Sequence, residues 1–239
     1  MRVSLGASLD DGHRCTAQAQ LTRQPQTGGP GAHHHDVLHI PTSYWSLTKE
    51  YIWSVTKSQG DVVRVALEVL DEQGAAGVSM RAIAQRLGVR MNSVLWHVKS
   101  KSRLDELMAD AIVAGVSLDG LPESWRERAA EIMRRYRRAL LAHRDGAAVV
   151  AGTYASEPAT LDTAEALVAA LLDGGLPERE AAWTCWSLLY FVLGLTQEEQ
   201  GDPHSLDVGG RAALTRVLPG LTDASFDERF EFGVGKLLA

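Results

Sequence analysis

The sequence predicts an all-α fold in which an N-terminal three-helix domain of helix-turn-helix form is joined to a larger C-terminal helical domain. Three observations carry that prediction. Ala84 to Lys101 read as a short helix, a glycine turn and a second short helix bearing polar groups; the charge of the chain divides between its two parts; and beyond the turn, apolar residues recur at helical spacing.

Residues 1–46 are different in kind. Gly28-Gly29-Pro30-Gly31, three prolines (Pro25, Pro30, Pro41) and scattered polar residues show neither helical nor strand period, which predicts a disordered extension. His33, His34 and His35 with His39 invite a metal, but without a fixed scaffold they read as a polar tract. Tyr44, Trp45, Tyr51 and Trp53 are more aromatic than a solvated tail requires, and with only Lys49 and Lys57 nearby they are expected to pack on the body.

Residues 47–106 form the predicted helix-turn-helix domain. Val63, Ala66, Leu67 and Leu70 fall at i, i+3, i+4 and i+7, an apolar stripe that Gly74 ends. Ser79 caps a second helix whose Ile83 and Leu87 face the first, and Gly88 permits the positive backbone angle of a tight turn. A third helix runs from Arg90 to Val98. Its Val94 and Val98, one turn apart, point at the other two helices and leave Arg90, Met91, Ser93, Leu95 and His97 outward, with Trp96 expected as a core anchor. Lys99 and Lys101 follow where such a helix would leave a DNA groove and would hold phosphates.

Charge agrees. Residues 49–104 hold nine lysines and arginines against five acids, a net of +4; with 24 basic and 30 acidic residues in the chain, the remainder holds 15 against 25, a net of −10. A basic module on an acidic body suits a protein that meets nucleic acid with one end only.

Residues 107–239 form the second predicted domain. Leu104, Leu107, Met108, Ala111 and Ile112 continue a stripe that links module to body. Trp125 to His143 has the pattern of a long amphipathic helix, with Ile132, Met133, Tyr136, Leu140 and Leu141 inside and arginines outside, ended by Asp145-Gly146. Ala159 to Leu172 follows, closed by Gly174-Gly175. Pro177 suits the first turn of a helix over Glu178 to Gln200 that is apolar nearly all round, and Phe226 to Leu238 supplies Phe230, Phe232, Val234 and Leu237. A helix with two apolar sides must be covered twice, once by its own domain and once by a partner.

The stretch from Val63 to Met108, down to Trp96-His97-Val98-Lys99, resembles the DNA-binding domain of the TetR family. Glu123-Ser124-Trp125, Arg138-Ala139-Leu140-Leu141, Arg144-Asp145-Gly146-Ala147, Gly152-Thr153 and Phe191-Val192-Leu193-Gly194 with Glu198 extend the likeness, so that it covers residues 57–239. The resemblance implies a homodimer on palindromic double-stranded DNA and a C-terminal domain for ligand binding and dimerisation. It also implies roles in the helix-turn-helix: Arg81 on a phosphate or guanine edge, Arg90, Met91, Asn92 and Ser93 over bases, and His97 and Lys101 on the backbone. Members that bind tetracycline carry glutamine, proline and tyrosine where Met91, Asn92 and Leu95 stand, so a different operator is expected.

The same members hold a magnesium-drug chelate through a histidine matching Val150 and hydrogen-bond the drug through an asparagine matching Ile132. Ala114 to Leu118 lacks their further histidine, and Glu198 matches an acidic residue beside the metal. Valine and isoleucine in place of imidazole and amide imply a small apolar or aromatic effector without metal or other cofactor, lined by Ile132, Tyr136, Val150, Thr153, Cys185 and Leu189.

An enzyme is not expected. Ser187, Ser205, His143 and His204 are present, but no Gly-x-Ser-x-Gly elbow, phosphate loop, His-Glu-x-x-His or paired-cysteine motif accompanies them. Cys15 and Cys185 imply no disulfide framework, and charges interrupt the apolar stretches, so a cytoplasmic protein that does not enter membranes is expected. The rival to a ligand-released repressor is an architectural DNA-binding protein of the same fold, whose pocket Trp183, Trp186 and Tyr190 would fill.

Overall fold

The computed structural model describes residues 58–153, 156–201, 207–222 and 225–239. The expected extension over 1–46, its histidine cluster, Cys15 and the aromatic segment ending at Trp53 lie outside the described residues. Within them all regular structure is helical, apart from one 3-10 turn at Ala75–Gly77.

Helix α1, Gln59–Gln73, starts in a capping box: the Ser58 hydroxyl accepts the Asp61 amide and the Asp61 carboxylate accepts the Ser58 amide. Its buried face is wider than the predicted stripe, taking in Val62, Val65 and Val69 beside Val63, Ala66 and Leu70, while Leu67 is only half-buried. Helix α2, Met80–Leu87, is capped by Ser79 and ends on Gly88 at φ 67°, the left-handed region where glycine carries no penalty. Helix α3, Met91–Val98, packs Val94 and Val98 into the pair, both fully buried. Arg86 reaches back from α2 to Glu72 and Glu68 of α1, and the Gln59 amide donates to the His97 carbonyl at 3.1 Å, so that α1 braces both ends of the unit.

Helix α4, Lys101–Val113, is capped by Ser100 and runs unbroken through the position, 106/107, where the sequence divides the domains. Leu104 is buried under the three-helix unit and Met108, Ala109, Ile112 and Val113 in the body, so one rigid rod serves both cores.

The body is built from α5, Trp125–Leu141; a short α6, Gly146–Ala151; α7, Pro158–Asp173; α8, Glu178–Gln200; α9, Ala212–Thr222; and α10, Phe226–Leu237. Helices α5, α7 and α8 pack on one another, with α10 against α8 and α5. Close approach of α10 needs Gly233, since a Cβ there would stand 2.0 Å from the Phe191 ring. Three expectations for α5 are corrected. It stops at Leu141 instead of His143, Leu141 is exposed, and Arg137 is buried. Arg137 is drawn inward by the Glu199 carboxylate of α8, on both oxygens at 2.7 and 2.9 Å, by Asp227 of α10 at 2.6 Å, and by the face of Phe230. Burial opposes its charge, but those hydrogen bonds outweigh it and hold its pKa above the ordinary arginine value.

Candidate nucleic-acid interface and ligand cavity

The outward side of α3 is set by the two valines that hold its inward side. Arg90, at the N-cap, with Met91 and Asn92 is exposed, and Ser93, Leu95 and His97 are half-buried along the flank. Arg81 is exposed on the first turn of α2, and Lys101 is exposed and ion-paired to Asp105 one turn along α4. Lys99 holds φ 65° at the end of α3, which turns the chain sharply into α4.

Trp96 is not a core anchor. It is 70 % exposed, because two residues beyond Val94 at about 100° per residue it lies on the opposite face of the helix. Its ring meets His97 edge-on at 5.0 Å and carries the Lys99 ammonium at 5.8 Å. Sequence reasoning missed it by weighing the size of the indole above the helical period, which was there to be read. Arg90, Met91, Trp96 and Lys99 are thus all exposed in the part of the chain that is most basic.

In the body, a cavity of about 400 Å³ opens between α4, α5, α7 and α8, with α6 on its rim. Tyr136, Val150, Thr153, Cys185 and Leu189 of the predicted set all line it. Ile132 does not: one turn ahead of Tyr136 it is fully buried in the solid part of the core. The wall is completed by residues that were not foreseen, among them Thr160, Thr163 and Leu167 of α7 and Trp186 and Tyr190 of α8. The Trp186 and Tyr190 rings stack at 5.5 Å and 22° and leave the cavity open. Burial pushes the Tyr136 phenol and the Cys185 thiol above their ordinary pKa values, so both are protonated near neutrality.

Two sets of contacts connect this wall to the three-helix unit. Thr160 donates its amide and hydroxyl to Asp110 of α4 at 2.8 and 2.9 Å, and Glu157, just ahead of α7, pairs with Arg103 of α4. Below them the turn between α5 and α6 grips the end of α1: Asp71 accepts the Arg144 amide at 3.1 Å and meets His143 Nδ1, and Asp145 accepts the Ala75 amide.

A family model described as bacterial regulatory proteins, tetR family, matches residues 62–106, and one described as the tetracyclin repressor-like C-terminal domain matches residues 120–239. The chain belongs to the TetR family. The class A tetracycline repressor from transposon 1721 of Escherichia coli is 36% identical over 73% of this chain and 83% of its own length. Among solved TetR-family structures, ActR of Streptomyces coelicolor in complex with actinorhodin is 27% identical at TM-score 0.69, covering 77% of this chain and 94% of its own. BioQ with its double-stranded DNA operator is 30% identical at TM-score 0.57, covering 70% and 99%.

The magnesium site of the TetR family's tetracycline binders does not fit these residues. Val150 and Ile132 supply no ligand atom from their side chains, and Glu198 is held by Arg229 through two hydrogen bonds of 2.8 and 2.9 Å. No described helix is long and apolar enough to cross a membrane.

Proposed function

We propose that the protein is a transcriptional regulator, of the repressor type, whose homodimer binds a palindromic operator and is released by a small, largely apolar effector. The observation that carries this reading is the surface of α3, where Arg90, Met91 and Trp96 stand clear of the buried valines and basic residues flank them. Arg81, Arg90, Met91, Asn92 and Ser93 are assigned to base edges and nearby phosphates, Leu95 to apolar contact in the groove, and His97 and Lys101 to the backbone; Trp96 joins them.

The dimer is supported by α8. Ala181, Cys185, Leu188, Val192 and Leu195 fill its inward face, while Trp183 stays exposed on the other and Trp186 and Tyr190, which edge the cavity, stay exposed beside it. On α10, Phe230 and Val234 point inward and Phe232 is 69 % exposed. Two copies joined through these faces would give a two-fold molecule and two recognition helices, matched to half-sites about 34–36 Å apart.

For release, a ligand must favour a conformer whose recognition helices are wrongly spaced, and α4 is the rod that would carry the change. A filled pocket would have favoured the architectural reading, and the cavity favours an effector instead. No catalytic role is assigned, and the cytoplasm is the compartment proposed for the regulator.

The test is selection of genomic fragments by the purified protein at about physiological salt, followed by sequencing. Recovery of a few palindromic sites, bound at about 10⁻⁸–10⁻¹¹ M by a dimer, is expected. Uniform recovery of all fragments, or none, would sink the sequence-specific reading.

A further inference from the structure

We propose that the cavity selects an uncharged aromatic ligand whose polar groups are mainly hydrogen-bond donors, and that it rejects the corresponding anion. The inference rests on the reading of the cavity as the effector site, and it follows from where the wall's protons already go.

None of the side chains lining the cavity is charged. Its hydroxyls are plentiful, but three have spent their protons. Thr153 donates to the Val150 carbonyl at 3.0 Å, Thr163 to the Ala159 carbonyl at 2.9 Å, and Thr160 to the Asp110 carboxylate at 2.9 Å. Each of those oxygens can now only accept. Tyr136, 5 % exposed, has no hydrogen-bond partner for its phenol among the described residues, and it is the strong donor left on the buried part of the wall. The Cys185 thiol beside it is a weak one. Behind Thr160 stands the Asp110 carboxylate, a negative charge on the far side of the wall.

A carboxylate or sulfonate is acceptor-only and needs a cation or several donors when it leaves water; this wall holds no cation, offers one good donor at depth in Tyr136 with Ser156 and Tyr190 only at its exposed edge, and stands in a negative field. A phenol, aryl amine or hydroxylated ring system is matched instead. It gives its protons to the threonine oxygens, takes one bond from Tyr136 at a carbonyl or ether, and lays its rings against Trp186, Tyr190 and Leu189. A volume of about 400 Å³ admits a ligand of two to four fused or linked rings.

Two fluorescent probes separate the alternatives, because they share an anilinonaphthalene frame and differ by a sulfonate: neutral N-phenyl-1-naphthylamine and anionic 8-anilinonaphthalene-1-sulfonate. The full chain is titrated with each, in parallel with the cavity-filling variants Ala164→Trp and Val150→Trp, of which either suffices if the other fails to fold. The neutral probe is expected to bind once per chain, to be lost in the filled variants, and to be displaced by the sulfonate only at about 100-fold higher concentration. Displacement at less than tenfold higher concentration would overturn the preference for neutral ligands while leaving the cavity as the site. Absence of any neutral-probe signal that the filled variants remove would overturn the effector-site reading itself, and the proposal with it.

Discussion

The Asp145 carboxylate accepts the Ala75 amide at 2.8 Å, so the turn between α5 and α6 caps the end of α1 across 70 residues of sequence. Asp145 itself sits at φ 55°, a left-handed conformation that aspartate and asparagine tolerate better than other side chains. Gly74, at φ 74°, leaves room for that carboxylate to approach, since a Cβ there would stand 2.8 Å from it. Asp145→Ala loses both the acceptor and the tolerance, and should lower stability by about 1–3 kcal/mol, with Asp145→Asn costing less than half of that. Urea unfolding of the two variants measures it; equal losses would mean that the backbone angle is not part of the cost.

Trp96→Ala should separate binding from folding. An exposed indole contributes little to stability, so the unfolding free energy should change by no more than about 0.5 kcal/mol, while operator affinity falls by about 1–2 kcal/mol. A large drop in melting temperature would return Trp96 to the core.

Arg90→Ala and Lys101→Ala should differ in kind. Loss of Arg90 should cost about 1–3 kcal/mol and relax base preference at one position, whereas loss of Lys101 should weaken all sequences alike and flatten the salt slope by about one unit. Equal losses on specific and random DNA for both variants would remove Arg90 from the base-reading set.

Removing Arg137 leaves the half-buried Glu199 without its partner and unties α5 from α8 and α10, the two helices assigned to the dimer. Arg137→Ala should cost about 1–3 kcal/mol and weaken dimerisation, with Arg137→Lys intermediate because the ammonium cannot bridge both carboxylates in the same plane. Sedimentation at several concentrations reports the second effect.

Glu231 gives a pH signature. Its carboxyl is held below the ordinary glutamate value by hydrogen bonds from Arg134, with burial opposing, so the unfolded chain binds its proton first. The stabilisation is therefore complete above the ordinary glutamate range, about 4.3, and is lost as pH falls through the lower native value. On this half-exposed pair it amounts to less than about 1 kcal/mol. The gap in urea midpoint between the native chain and Glu231→Gln should be constant near neutrality and close in acid; a gap that widened in acid would reverse the sign.

Much of the DNA-facing unit was legible from local chemistry. Ser79 and Gly88 bound α2 because capping and a positive φ are decided within a few residues, and the spacing of Val94 and Val98 alone orients α3. The start of α8 after Pro177 and its end at Gln200 were equally local. Helix α9 was hidden by Pro219-Gly220, turn residues that lie inside it, and α6 is too short to show a period.

By itself, then, the sequence determined the longer helices, most of their inward faces and the basic end, because periodicity, caps and charge act over one to three turns. Only the tertiary structure decided which inward residues meet other atoms and which meet a void. Ile132 and Tyr136 share a face of α5, yet the first packs solid and the second lines a cavity, since that depends on α4, α7 and α8 arriving from elsewhere in the chain. The burial of Arg137 and the commitment of the threonine protons were decided in the same way, by partners up to 90 residues distant.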